Sequence, residues 1–271
     1  MENNNNSKLA SIIKLMPSLY VTILLVSWIF HSYALITIFI LFLGLLSLIA
    51  IIAAIVCFIF SWKRENIWQK VIFYWGVVNL LLVGVCVTSP SEQETMTKKL
   101  EKNYERHKIE MDELYDYVSD VLDDDCSILV EFNTNDIGML WIAPAGEDRY
   151  QQFWGDDARA KKDSLLTVVG ISDEEFNGLR NRIKNVKCIG LMVSKPGQYM
   201  ELMYQRAGMG MYSYLIYKLP LNDEDKEYFL EQSSSIPYSD RVVFDYEGGA
   251  FGAQEFGRNI KEKYLKKHQP W

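Results

Sequence analysis

Three histidines, four cysteines and a few acidic pairs are most of what this chain offers for bond-making chemistry. His31, His107 and His268 lie far apart, and neither His-x-x-x-His nor Cys-x-x-Cys occurs, so the spacings that hold zinc are missing. Gly-x-Ser-x-Gly and a Walker loop are also absent. "NTNDIG" starts like a calcium loop, but Ile137 takes its fifth position and Pro144 its twelfth, so it reads as a turn. "AGMGMYS" holds Gly208 and Gly210 without the third glycine and following helix that a dinucleotide needs; it reads as a hairpin turn. "EGGAFG" could cradle an anion with backbone N–H groups, yet Asp245 and Glu247 beside it would repel one. Asp156-Asp157 and Glu174-Glu175 read as a solvated loop and a helix start rather than as catalytic carboxylates.

The expectation is therefore no catalytic, cofactor-binding or metal-binding residue and no cofactor, with an enzyme only the third reading. One redox possibility stands beside this. Cys126 and Cys188 each begin a predicted strand after a helix, and in an oxidising compartment they would pair as a disulfide. Otherwise both are buried thiols behaving as small apolar side chains.

The elements that carry these residues fall into two unlike halves. Residues 1–90 hold five Lys/Arg and two acidic residues; residues 91–271 hold 23 and 33, a net charge of −10. The first half reads as a membrane region and the second as an acidic, water-soluble α+β domain. An acidic domain lacks the clustered cations that phosphate neutralisation requires, so nucleic acid is not expected as a partner.

Leu15 to Trp62 contains no Asp, Glu, Lys or Arg over 48 residues. As one helix it would reach about 72 Å at 1.5 Å per residue, over twice the hydrocarbon core, so it must fold back. The most polar point is His31-Ser32, flanked by Trp28 and Tyr33. That gives spans near 12–30 and 33–60, with a third at 67–88 after the charged island "WKREN". A cleaved signal peptide is not expected, because a longer apolar run follows at once. Gly44, Ser47, Ala50 and Ala54 mark a close helix contact, and Asn79 is the one strongly polar side chain deep in the third span, read as an interhelical hydrogen bond.

Three spans put the N-terminus and the 61–70 loop on one side and the acidic domain on the other. Lys8, Lys14, Lys63, Arg64 and Lys70 on the first side face Lys98, Lys99 and Lys102 on the second. The positive-inside rule then places the N-terminus in the cytoplasm and the domain outside it, in a multi-pass cell-membrane protein.

Within the domain, Ser91-Glu-Gln-Glu94 opens a long helix to about Leu122. Its apolar positions include Leu100, Met111, Leu114 and Val118 at heptad spacing, a seam for self-association as a homodimer or for packing on the domain's own sheet. "CSILVEF", "NTND" and "IGMLWIA" form a hairpin. The segment from Pro144 to Gly170 reads as irregular, with a short helix near Leu165. Ser172 caps the next helix, and "CIGLMVS", "YMELMYQR" and "MYSYLIYK" make a meander whose first turn, "KPGQ", suits type II. Asn222 caps another helix, "RVVFDYE" is a strand and 254–267 a final amphipathic helix. The fold class is thus a three-helix transmembrane region followed by an α+β domain with a mostly antiparallel sheet and a long leading helix. Helix, cysteine, strand, turn and strand occur twice, led by Cys126 and Cys188; without gaps, Leu129 aligns with Leu191 and Leu140 with Leu202.

The meander carries the richest surface for a protein partner. Tyr199, Tyr204, Tyr212, Tyr214, Met209 and Met211 suit adaptable contacts, although one alternate face of such a run is normally core. The functional expectation is an extracytoplasmic binding or sensing domain tethered to the lipid bilayer. The alternative is a cytoplasmic sensor domain coupled to a membrane-disrupting or signalling set of helices.

Overall fold

The computed structural model describes residues 2–29, 33–122, 126–134, 136–143, 151–193, 198–207, 210–248 and 255–268. The His31-Ser32 turn, the acidic run 123–125, Pro196 and Gly197, Gly208, Met209 and most of "EGGAFG" lie outside these. Two compact units, Met1–Ser91 and Glu92–Trp271, make up the chain.

The first unit consists of α1 (Glu2–Ile29), α2 (Tyr33–Phe60) and α3 (Ile67–Thr88). Each contains a stretch long and apolar enough to cross a membrane: Ile12–Ile29, Gly44–Lys63 and Ile67–Thr88. The charged island is where the chain turns between α2 and α3. A 3₁₀ turn, Ser61–Lys63, closes α2, and Arg64 adopts a left-handed conformation at φ 54°. Asn66 then caps α3 by accepting from Gln69 N–H at 2.9 Å, while Gln69 Oε1 accepts from Glu65 N–H at 2.7 Å and Asn66 N–H at 3.4 Å. Gly76 admits the Phe58 ring so closely that a Cβ there would lie 2.2 Å from a ring carbon.

Asn79 does join helices. Its Nδ2 donates to the Ser18 carbonyl at 3.0 Å and hydroxyl at 3.1 Å, and its Oδ1 accepts from Thr22 Oγ1 at 2.7 Å. Thr22 in turn accepts from Trp75 Nε1 at 2.8 Å. The group ties α1 to α3 with its polar atoms turned inward, as a lipid solvent demands. Asn79→Leu is expected to lower the melting stability of the detergent-solubilised chain by about 1 kcal/mol, the scale of interhelical hydrogen bonds in membranes. An unchanged or higher melting temperature would show that the network adds nothing to the bundle.

The second unit is an eight-stranded antiparallel sheet with helices. Its strands are β1 (Ser127–Asn133), β2 (Asp136–Ala143), β3 (Gln151–Trp154), β4 (Gly190–Val193), β5 (Tyr199–Ala207), β6 (Gly210–Tyr217), β7 (Ser235–Pro237) and β8 (Val242–Glu247). Their spatial order is β3-β2-β1-β4-β5-β6-β8-β7. β1 and β4 pair inside the sheet, with three strands on the β1 side and five on the β4 side, and each leads outward through a meander, β1-β2-β3 and β4-β5-β6. The ungapped residue match follows this pattern only in part: Leu140 and Leu202 are both buried in the main core, but Leu191 is buried there whereas Leu129 pairs with Met192 on the other face.

The helices are α4 (Glu92–Val121), α5 (Gly155–Val168), α6 (Asp173–Asn185), α7 (Asp223–Glu231) and α8 (Arg258–His268). Ser172 and Asn222 cap α6 and α7 as their sequences require, accepting from Glu175 N–H at 3.2 Å and Asp225 N–H at 2.8 Å. The segment read as irregular contains β3 and the fourteen-residue α5. Gly155, at φ 52°, makes the turn between them. β7, three residues ending in proline, is an edge strand that too few alternating residues announce.

One face of the sheet packs on α4, α5 and α6 through a single large core. Leu100, Met111, Leu114 and Val118 are all buried in it, Leu100 and Leu114 with no exposed surface. The seam of α4 therefore faces its own sheet. Tyr214 fixes it there: its hydroxyl donates to the Leu100 carbonyl at 3.0 Å and accepts from Asn103 Nδ2 at 3.2 Å, which also donates to the Val186 carbonyl at 3.0 Å. α4 kinks at His107, whose backbone is non-helical and whose Nδ1 lies 3.0 Å from the Asn103 carbonyl. On the outer side of α4, Lys263 pairs with Glu94 at 2.9 Å, and Lys267 and Tyr264 reach Glu101.

Candidate functional site: the second face of the sheet

Antiparallel pairing fixes which side chains share a face, because residues directly opposite each other point the same way. One row crosses all eight strands as Gln152, Trp141, Leu129, Met192, Glu201, Leu215, Val243 and Pro237. The next runs Trp154, Met139, Glu131, Gly190, Met203, Ser213, Asp245 and Ser235. These rows form the face turned away from the main core.

α7 covers one end of it, where Phe229 and Leu221 pack with Val243, Leu215 and Tyr217. Towards the other end, Trp141, Leu129 and Met192 are half-buried and Trp154 is 58% exposed. The arrangement is an apolar, sulfur- and aromatic-rich surface on a rigid sheet, suited to a protein contact.

Its centre is acidic. Glu201 stands between Met192 and Leu215 and is only 4% exposed. Burial, then the charge of Glu247, pushes its carboxyl up to about 7; the Ser213 hydroxyl works against that rise and Asp245 adds to it. Asp245 is raised as well, by burial first, although it accepts from Ser235 Oγ at 2.5 Å. Arg206, the cation nearest in strand order, is taken by Glu131. Among the described residues no lysine or arginine pairs with Glu201, Asp245 or Glu247.

The sequence-derived candidates distribute unevenly over the fold. Tyr212 and Tyr214 are fully buried on the core face, two residues apart as the period of a strand dictates, and Met211 is buried too. Tyr204 is half-buried against that core, and Tyr199 is half-exposed on the second face beside Tyr217. The partner surface read in Tyr212 and Tyr214 is thus core, whereas Met211, opposite Arg206 and Glu247, is buried on the second face outside the main core. Both faces of the meander are apolar, so alternation could not say which of them turns inward. Met209 lies outside the described residues. Glu201, Trp154 and Leu129 are not among those candidates, although Met192 beside them lies in the same meander. Their signal was a lone glutamate inside an apolar strand.

Cys126 and Cys188 are both buried, and both are free thiols. In the β1/β4 register Ile128 lies opposite Val193 and Glu131 opposite Gly190. The cysteines therefore sit beyond opposite ends of the pair, about seven residues or roughly 23 Å apart at about 3.3 Å per residue. A disulfide needs Cα atoms within about 7 Å. Denatured, unreduced chain is expected to show four free thiols with Ellman's reagent, whatever the compartment. In the native chain Cys188 is expected to stay unmodified, because burial both shields it and pushes its thiol well up. Counting two thiols would contradict this register.

Among the described residues no three His, Cys, Asp or Glu side chains are arranged to hold a metal ion. Comparison with known proteins gives no family model, curated protein or solved structure that matches the chain.

Proposed function

We propose that this chain is a membrane-tethered binding or sensing protein whose acidic domain faces away from the cytoplasm. The observation that carries the binding role is the second face of the sheet. Trp141, Leu129, Met192 and Trp154 are left partly uncovered there, beside carboxylates without a described cation. The surface suits a protein ligand that presents apolar side chains around a basic group, since the ligand's cation would find Glu201 and Asp245 already desolvated. The orientation rests on the five cations of the N-terminal and 61–70 side against three beyond the third span.

Affinity capture from solubilised membranes tests the binding role when a Leu129→Ala, Trp154→Ala chain is run beside the unmodified one. Trp154 is exposed and Leu129 half-buried outside the main core, so the variant is expected to fold, which circular dichroism checks. A partner retained by the unmodified chain and lost, by tenfold or more, with the variant is the expected result, since such anchors are worth more than about 1 kcal/mol each. Equal retention by both chains would remove this face as the binding surface.

A further inference from the structure

We propose that the loop end of the membrane bundle holds the phosphate of an anionic phospholipid, in a cavity of about 330 Å³ between α1, the end of α2 and the first turn of α3. This rests on the three helices crossing a bilayer and not on which way the domain faces.

The walls are amphipathic in the manner of the molecule they would hold. Val56, Phe60 and Ile72 supply apolar surface, while Lys14, Ser61 and the first turn of α3 supply polar groups. Lys14 belongs to the first turn of the α1 span, at the depth of the interface, and forms no ion pair among the described residues. Ser61 is only 3% exposed. Its carbonyl accepts from Arg64 N–H at 3.1 Å, the residue lines the cavity, and its hydroxyl has no described hydrogen-bond partner. The hydroxyl oxygen is not among the desolvated unpartnered atoms, so the hydroxyl stays accessible and can donate to an anion.

The first turn of α3 adds a third feature. Asn66 accepts from Gln69 N–H, and the earlier N–H groups have no intrahelical acceptor. Trp68 from this turn borders the cavity. A helix start carries partial positive charge and favours phosphate. A cation, a serine hydroxyl and a helix N-terminus thus meet at one cavity at membrane depth.

Charge complementarity and location select the occupant. Lys63, Arg64 and Lys70 lie on the same side, and Glu65 is the only acid between residues 61 and 70. Such a side attracts anionic headgroups. A free phosphate would satisfy Lys14 and Ser61 but would leave the Val56, Phe60 and Ile72 wall unused, whereas the glycerol and upper acyl carbons of a lipid cover it.

Native mass spectrometry of the full chain, released from micelles loaded with dioleoyl phosphatidylglycerol or dioleoyl phosphatidylcholine, tests the site. The expected result is one retained phosphatidylglycerol per chain in preference to phosphatidylcholine. Lys14→Gln should lower that retention on the order of five-fold, the worth of about one interfacial cation. Lys14→Arg should restore it, and Ser61→Ala, which removes only the hydroxyl, should lower it independently. Lys63→Gln, a cation outside the cavity lining, should leave retention within about two-fold. Equal retention of the two lipids, or no loss with both Lys14→Gln and Ser61→Ala, would overturn the proposal. An equal loss with Lys63→Gln would reduce it to general surface charge and overturn it too. Displacement of the lipid by millimolar inorganic phosphate would identify a free-phosphate site instead.

Discussion

A Met111→Glu chain is expected to lose about 4 kcal/mol or more of folding stability and to melt far below the unmodified protein, with no oligomer to lose. Met111 is 1% exposed and belongs to the same core as Leu100, Leu114 and Val118 on one side of α4. Truncating a buried methionine alone costs about 2–5 kcal/mol, and a carboxylate placed there has no described cation to meet it. Thermal unfolding of the detergent-solubilised chain reads the loss, and sedimentation of the same sample reads its association. A variant that keeps its melting temperature while passing from dimer to monomer would show that the heptad seam meets a second copy. That would contradict the packing of α4 on the sheet.

Glu201→Gln is expected to act in the opposite direction, stabilising the domain above neutral pH. The folded carboxyl titrates at about 7 against an ordinary 4.5, so over that interval the folded state holds a proton that the unfolded state has released. The favourable contribution of the protonated carboxyl is complete below about pH 4.5. It is lost as the pH rises through 7, where an unpaired buried carboxylate remains. A shift of this size corresponds to about 3 kcal/mol, at 1.36 kcal/mol per unit. Denaturant unfolding at intervals from pH 5 to 8 should show stability falling with pH in the unmodified chain and much flatter in Glu201→Gln. A smaller slope of the same sign should remain from Asp245, which is also raised. An unchanged slope in the variant would mean that Glu201 is not desolvated by this face. A ligand that brings a cation to the face should stabilise the unmodified chain most at pH 8, where Glu201 is ionised.

The membrane region was the most legible part of the chain, for reasons of length and solvent. An uncharged run from Leu15 to Trp62 exceeds one crossing, a signal written in local composition that no tertiary contact overrides. The same holds for the caps at Ser172 and Asn222 and for the hairpin of β1 and β2. β3 and α5 were harder. Gln151–Trp154 is too short to show alternation, and α5 buries only Ala158, Leu165 and Leu166 of its fourteen residues. Its charged side chains therefore hide the helical period.

The second face was legible only as a lone glutamate, Glu201, inside an apolar strand. "YMELMYQR" is apolar on both faces, so period two separates Met200 and Leu202 from Glu201 and Met203 without saying which pair meets α4. That choice depends on where α4 and α7 return to the sheet. Tyr204 follows Met200 and Leu202 onto the core side, and a bulge between Met203 and Gln205 then shifts the strand by one residue, which brings Arg206 opposite Met211. Buried acids of this kind follow from a tertiary arrangement rather than from any local pattern. The heptad of α4 had two solutions of equal period, a second helix or a sheet, and Tyr214 reaching Leu100 and Asn103 belongs to the second.

The account turns on which side of the membrane the second face looks out upon. Ser233 is exposed between α7 and β7, Cys57 and Cys86 lie in the spans, and Cys126 and Cys188 are buried, so a Ser233→Cys chain offers one accessible thiol over a quiet background. A membrane-impermeant maleimide should label this chain in intact cells, or in cells with only an outer membrane opened, and should leave the unmodified chain unlabelled. Labelling that appears only after the cytoplasmic membrane is lysed would place the domain in the cytoplasm. It would contradict the extracytoplasmic reading in favour of a sensor that acts through its helices.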